Sequence, residues 1–313
     1  MDAIGVDKFT RGVSACVLTH AHTDHMAGLT RALESRQQMV HCSRDTLGLL
    51  AATGKPTRNL VAHPYYSWFR LTENTRCVFL ESNHCIGGTM LLLEGAQTRE
   101  RMLYTGDMRY EVPDEVPDRL RKYLRIGQSP ARWCLDDTLV HHRALPDRRQ
   151  MCDEVLRLVR NTRGLVHLRG ELLGQEQITA ALLEAGMPVH VKGAEPHARM
   201  RYYLEATRQG SLIRGLVADP ADARVHVCKY QLWDHVYDLR VHLGVRWHSE
   251  VAKLDPDKHP VVKDPLDDRL VHVAFTSHAS GNELRGFVRV LGLTDKRRIA
   301  DTVKGCRTGI VRI

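Results

Sequence analysis

The chain has no apolar run near the ~18 residues that a membrane-crossing helix needs. Met1-Asp2-Ala3-Ile4 opens no secretory signal, so the sequence reads as a soluble protein. It also has no Cys-x-x-Cys pair. Its eight cysteines (16, 42, 77, 85, 134, 152, 228 and 306) are scattered, as expected of reduced thiols rather than a disulfide framework. Proline is scarce, with 12 in 313 residues, and hydrophobic residues make up 43%, which excludes a disordered chain. No internal repeat is present, which excludes a solenoid.

What is in excess is positive charge. A net charge of +8 and a pI near 9.1 point to a polyanionic partner. The excess is local: Arg119, Arg121, Lys122, Arg125 and Arg132 crowd one segment, and Lys296, Arg297, Arg298, Lys304, Arg307 and Arg312 another.

The chemistry concentrates at Thr19-His20-Ala21-His22-Thr23-Asp24-His25. The apolar stretch Val13 to Leu18 reads as a buried strand, and residues two apart on a strand point the same way. His20, His22 and Asp24 therefore share one face past its end, and His25 joins them as the chain turns. Met26, Leu29, Ala32 and Leu33 recur at helical spacing, so a helix is expected from about Asp24. Three imidazoles and a carboxylate in six residues make a nitrogen and oxygen donor set suited to zinc, or to manganese or iron with further carboxylates.

Three more apolar strands follow: Cys77 to Leu80, Met90 to Leu93 and Met102 to Tyr104. His84, in Asn83-His84-Cys85-Ile86-Gly87, and Asp107, in Thr105-Gly106-Asp107-Met108-Arg109, lie in glycine-containing turns after strands, where a rigid scaffold presents functional groups. A fourth strand, Trp133-Cys134-Leu135, ends at Asp136-Asp137-Thr138. From about residue 146 helices and strands alternate, as in a small parallel α/β layer. Asp255 to Asp268 reads as a linker, and Leu270 to Phe275 as a strand leading to Ser277-His278-Ala279-Ser280. A helix follows from Glu283 to Leu291, then a last strand from Arg298 to Val303.

His20-x-His22-x-Asp24-His25, Asn83-His84-Cys85-x-Gly87 and Thr105-Gly106-Asp107-x-Arg109 together resemble the metallo-β-lactamase fold. Leu135-Asp136-Asp137-Thr138, Ser277-His278-x-Ser280 and Asp301-Thr302-Val303 resemble the three extra motifs of the β-CASP nucleases. The wording around His84 and Asp107 is closest to that family's DNA cross-link-repair branch, and the resemblance runs from about Val6 to Val303. It implies an α/β chain: an αββα sandwich over 1–145 and 268–313, with an α/β β-CASP domain inserted over 146–267.

The resemblance also implies that His20, His22, His84 and Asp107 hold one metal. Asp24, His25, the bridging Asp107 and His278 would face a second. One or two zinc ions are expected, with magnesium or manganese as candidates at the second site. Asp24, Asp107, Asp136 and His278 are the expected catalytic residues, and Ser280, Arg297 and Arg298 the expected nucleic-acid contacts. The implied activity is hydrolysis of DNA phosphodiester bonds by a metal-activated hydroxide, as a 5′-to-3′ exonuclease in repair. The implied setting is a nuclear monomer whose partner is DNA, single-stranded or at duplex ends. An RNA-processing endonuclease and an inactive nucleic-acid-binding scaffold are the alternatives, although no expected ligand is missing.

The chain departs from the branch at three points. Leu139-Val140-His141 stands where an aromatic follows the acid motif, and Ala279-Ser280 stands where the branch has Ser-Ser. Gly174-Gln175-Glu176 lacks the lysine of Gly-Lys-Glu, and losing a cation there would weaken anchoring of a terminal phosphate. His226-x-Cys228 partly matches a structural zinc site of some members, with no further cysteine before Cys306.

Overall fold

The computed structural model describes residues 2–35, 39–111, 116–124, 130, 132–170, 173–229, 235–245, 254–291 and 309–312. The chain forms two compact units, Met1–Arg143 with His278–Ile313, and Ala144–Ser277.

The first unit is a sandwich of two sheets. One contains β1 (Ala3–Val6), β2 (Ala15–Val17), β3 (Val40–Ser43) and β4 (Leu60–His63), parallel in that order, with β16 (Gly309–Arg312) antiparallel on the outer side of β1. The other holds β5 (Trp68–Arg70), β6 (Thr75–Glu81), β7 (Thr89–Gly95), β8 (Arg101–Tyr104) and β9 (Arg132–Cys134) in chain order. Its neighbours are antiparallel except β8 and β9.

Strand β7 shows why the layers form. All seven of its residues, Thr-Met-Leu-Leu-Leu-Glu-Gly, are buried, which requires cover on both faces. Leu91 and Leu93 point into a core shared with Ile4, Val6, Val17 and Phe79 of the two sheets. Met90 and Leu92 point the other way, among residues of α3 (Asp118–Leu124) and α7 (Gly281–Val290): Leu120, Leu124, Leu284, Phe287 and Val288. Each such side chain contributes about 1.5–3 kcal/mol by leaving water. On the first sheet's far side, α2 (Arg44–Ala52) packs on β3 and β4, capped by Ser43, whose Oγ accepts from Thr46 N at 3.0 Å. The order is helix, sheet, sheet, helix, as the resemblance implies.

The ligand-rich segment does not pass directly into a helix near Asp24. Residues 23–28 form turns, and α1 (Leu29–Glu34) opens only after Gly28, whose φ is 85°. The extra turn keeps Asp24 and His25 off a helix face and free to curl beside His20.

The second unit is a six-stranded sheet in the order β11 (Val189–Val191), β12 (Val225–Val227), β10 (Val166–Arg169), β13 (Leu239–Leu243), β15 (Leu270–Val273) and β14 (Val261–Lys263). All neighbours are parallel except β14 and β15. Its valine-rich face packs on α4 (Arg148–Asn161), α5 (Glu176–Glu184) and α6 (Ala194–Ala206). Two expectations change here. The stretch 255–268 is not merely a linker, because it contains β14. The strand at 270 completes this sheet, so the chain returns to the first unit at His278 rather than at 268. The expected strand at 298–303, Asp301-Thr302-Val303 included, lies outside the described residues.

The sheet's other face is polar and rich in histidine. His190, His226 and His167 stand in register on β11, β12 and β10, and His242 stands opposite His272 on β13 and β15. Burial, with neighbouring positive charge, lowers the His167 and His242 imidazoles to about 4. Glu176 works in the opposite sense, its carboxyl pushed up to about 7 by burial.

A histidine whose folded pKa lies below its unfolded value stabilises fully above about pH 6.5 and loses that contribution as pH falls toward 4. Two such groups outweigh one glutamate, so urea midpoints should fall between pH 7 and pH 5. The double variant His167→Gln/His242→Gln should show a shallower fall. Equal slopes for parent and variant would remove the assignment.

Candidate metal centre

The expected ligands come together where both sheets of the first unit end. The turn after β2 carries His20 to His25, the turn between β6 and β7 carries His84, and the turn after β8 carries Asp107. These turns are held in place by backbone geometry. Gly87 has φ +82°, and a Cβ there would approach Thr46 Oγ1 to 2.5 Å. Its carbonyl accepts from Ser43 Oγ at 2.8 Å and Thr46 Oγ1 at 3.0 Å, tying the His84 turn to the α2 cap. Gly106 takes φ +53° just before Asp107. Thr19 O accepts from Thr89 N at 3.0 Å and Thr89 Oγ1 at 2.9 Å, joining the His20 segment to β7.

Donor atoms of His20, His22, His84 and Asp107 all lie within 4.8 Å of one another. His22 Nδ1 is 2.7 Å from His20 Nε2 and 3.1 Å from His84 Nε2. Asp107 Oδ2 is the common centre. It lies 3.7 Å from His20 Nε2, 3.6 Å from His84 Nε2, 3.3 Å from His25 Nε2 and 3.9 Å from His278 Nε2. Asp24 projects outward with its side chain 83% exposed and its Oδ2 3.7 Å from His25 Nε2.

Asp7 belongs to none of the sequence motifs. It follows β1, is buried, and takes φ 50°, a left-handed conformation that aspartate tolerates better than most residues. Its Oδ2 accepts from His25 Nδ1 at 2.8 Å and from Thr19 Oγ1 at 2.6 Å, and its Oδ1 accepts from Thr19 N at 2.7 Å. With its proton given to Asp7, the Thr19 hydroxyl accepts from His20 Nδ1 at 2.9 Å. One buried carboxylate thus fixes two tautomers, leaving Nε2 of both His20 and His25 as lone-pair donors facing Asp107. Its one sequence signal is an acid directly after the apolar Ile4-Gly5-Val6.

Asp136 does the same for His278. Its Oδ2 accepts from His278 Nδ1 at 3.0 Å and Met108 N at 3.1 Å, and its Oδ1 accepts from Thr138 N at 3.0 Å. With Asp136 nearly fully buried, its oxygens orient His278 rather than face solvent.

The electrostatics follow from this crowding. Burial and the neighbouring His84, His22, His25 and His278 rings hold His20 far below the usual imidazole range. Burial also opposes charge on His25, but its hydrogen bonds to Asp107 and Asp7 overcome it and raise that ring to about 10, so a metal binding at Nε2 would displace a proton there. Burial raises the Asp7 carboxyl despite its bonds to His25 and Thr19. Four imidazole nitrogens pointed at one carboxylate oxygen, with Nδ1 of His20, His25 and His278 tied to outer acceptors, is the donor chemistry of a divalent-metal site, and the residues fit one.

Other expected residues fare differently. Ser280 is not a nucleic-acid contact. It is fully buried as the cap of α7, its Oγ accepting from Glu283 N at 3.3 Å while its own N donates to Glu283 Oε2 at 2.6 Å. Glu283 Oε1 also accepts from the buried Arg109 guanidinium at 3.0 Å, locking the turn after Asp107 to α7. Arg297 and Arg298 lie outside the described residues. His226 uses both ring nitrogens on Tyr237 Oη and Pro220 O, each at 2.9 Å, and Cys228 Sγ faces His167 Nε2 at 3.3 Å.

Residues 5–125 match the family model described as "Beta-lactamase superfamily domain". The chain is 28% identical over 288 residues to "5' exonuclease Apollo" of Gallus gallus, covering 90% of this chain and 57% of that protein. It is 26% identical over 230 residues to "DNA cross-link repair protein pso2/snm1" of Schizosaccharomyces pombe, covering 69% of this chain and 38% of the relative. The chain thus spans little more than half of the first relative and less of the second. Among solved structures, a protein of unknown function from Enterococcus faecalis V583 shares the fold, with TM-score 0.59, 15% identity, 88% of this chain and 73% of that one.

Asp7→Asn keeps the left-handed backbone but cannot accept all three hydrogen bonds. Metal affinity should fall roughly 10–100-fold, as when other ligating histidines are deprived of a carboxylate partner. Competition with a chromogenic chelator measures it, and parent-like affinity would remove the orienting role.

Proposed function

We propose that this chain, which carries a beta-lactamase superfamily domain, is a metal-dependent nuclease that hydrolyses DNA phosphodiester bonds from a 5′ end in repair. The observation that carries the reading is the convergence of His20, His25, His84 and His278 on Asp107 Oδ2, with His22 Nδ1 beside the His20 and His84 rings. The relatives named as an exonuclease and a cross-link repair protein support the substrate class, as does the chain's net charge of +8. A nuclear location follows from that reading. Among the described residues no helix is long and apolar enough to cross a membrane.

His20, His22, His84 and Asp107 would hold zinc, and His25 and Asp107 would face a second ion. The bound ion supplies Lewis acidity toward a phosphate oxygen and eases deprotonation of water. Everything else falls to the side chains. Asp7, through His25 directly and His20 by way of Thr19, keeps lone pairs inward. Asp24, exposed at the rim, accepts the proton that the attacking water loses. His278, held by Asp136 with its side chain 23% exposed, turns Nε2 toward the phosphate and gives charge or a proton to the leaving oxygen. Its ring is raised above the ordinary imidazole range: burial opposes the charge, and the Asp136 hydrogen bond outweighs it.

Asp107→Ala should abolish cleavage of end-labelled single-stranded DNA and reduce bound metal. Rates within tenfold of the parent with metal intact would sink the reading. Asp24→Ala, which alters an exposed carboxylate, should keep near-normal zinc with little turnover, whereas His20→Ala should lose zinc. Equal zinc loss by mass spectrometry would refute that division. Running RNA and DNA, with and without a 5′-phosphate, separates the activities: faster cleavage of RNA at internal bonds would favour an RNA-processing endonuclease.

A further inference from the structure

A band of arginine and aromatic side chains runs from α3 and the start of β5, the edge strand of the second sheet in the first unit, across to β6, β7 and β8. At one end Arg119 lies with its Cζ 4.5 Å above the Tyr66 ring and its Nη2 2.9 Å from Glu81 Oε2. Tyr66 is 6.0 Å from Tyr123, and Tyr123 is 6.4 Å from Trp68. Arg76 then sits 4.5 Å above Trp68, and Arg101 at 5.6 Å. The band ends at Glu94, a buried carboxylate that accepts from Arg76 at 2.6 Å, Arg99 at 2.9 Å and Arg101 at 2.6 Å.

Two features exceed what edge protection needs. Charges that protect a sheet edge sit on the edge strand itself, whereas Arg76, Glu94 and Arg101 stand on interior strands. Here three guanidiniums surround one carboxylate, leaving local positive charge. Arg70, on β5 itself, adds to it by donating to the neutral backbone carbonyls of Thr72 and Glu73. Burial works against the Glu94 charge, yet the three arginines bring its pKa below the usual value, so the carboxylate stays ionised and the guanidiniums stay gathered. Second, Tyr66 is held at φ 59°, a left-handed conformation that is an outlier for a bulky residue. Its N donates to Phe79 O at 2.8 Å and its carbonyl accepts from Tyr123 Oη, so the surroundings hold the strain in place.

We propose that this band is a docking track for single-stranded nucleic acid, outside the metal centre. Guanidinium groups contact phosphates, and aromatic and guanidinium planes stack on bases without sequence preference. The acids Glu81 and Glu94 on the band are engaged by arginines and so repel a phosphate less than free carboxylates would. The geometry gives the track a length and a direction. From Arg76 to Glu81, β6 rises roughly 17 Å, about five strand steps at ~3.4 Å each. Glu81 precedes the His84 turn directly, so the track leads away from the centre along one sheet.

The inference rests on the nuclease reading, and the test separates the two. Arg70, Arg99 and Arg119 are exposed and outside the core, so the variant Arg70→Ala/Arg99→Ala/Arg119→Ala is the probe. Binding of a fluorescent 15-mer of thymidylate is titrated against salt with Asp107→Asn in both backgrounds to prevent cleavage. The variant should bind at least tenfold more weakly at low salt. Its log–log salt slope should flatten by about two units, at ~0.7 for each phosphate no longer neutralised. Metal content, measured with Asp107 intact, should be unchanged, and melting should stay within about 2 °C. Parent-like affinity and slope would overturn the track, as would weakened affinity accompanied by a lowered melting temperature, which assigns the arginines to folding. A parent that neither binds nor cleaves nucleic acid would instead overturn the nuclease reading.

Discussion

Everything at the centre depends on one carboxylate oxygen being approached by four imidazole nitrogens. Asp107 Oδ2 lies within 3.9 Å of Nε2 on His20, His25, His84 and His278. Uncompensated, that arrangement repels itself as soon as more than one ring is protonated, and burial forbids water from relieving it. The surrounding structure bears the strain. Asp7 and Asp136 hold protons on the outer nitrogens, and Thr19 passes the effect of Asp7 to His20. These partners are buried, so their bonds operate in a medium where hydrogen bonds to ionised groups are strong and unmade ones costly.

The scaffold explains how such a cluster is tolerated. Its ligands hang from the ends of β2, β6 and β8, whose interiors are fully buried apolar residues such as Val17, Phe79 and Leu103. Leu92→Ala, which would open a cavity between β7 and the helices over it, belongs to a class that costs roughly 2–5 kcal/mol. Two layers of that kind offset an electrostatically frustrated rim. Arg109 and Glu283 extend the rigidity to α7, and with it to the segment that brings His278.

Much of this was legible in the sequence because strands declare themselves by buried runs and metal donors by clustering. His20, His22, His25, His84 and Asp107 were all readable at strand ends, and the two sandwiched sheets followed from the resemblance. Three things were hidden. Asp7 follows a four-residue strand too short to signal a site, and its role exists only through contacts with residues 12 and 18 positions later. Ser280 looked like a phosphate contact, yet Ser-x-x-Glu before an apolar helical stripe is equally the signature of a cap, and its burial decides for the cap. The strand at Val261–Lys263 hid among prolines and aspartates because an edge strand needs little hydrophobicity, and its antiparallel partner supplies the pairing.

The wiring of the first unit sets the order in which the centre can be completed. Asp136 and His278 lie 142 residues apart in the chain, with the whole second unit between them. Strand β1, which delivers Asp7, is flanked on its outer side by β16, where Ala3 pairs with Arg312. A ribosome emitting this chain therefore releases His20, His22, His25 and His84 long before His278 and before the β16 strand that flanks β1. The full histidine cluster thus needs residues from both sides of the second unit, and a product truncated before His278 would carry Asp136 without the ring it orients.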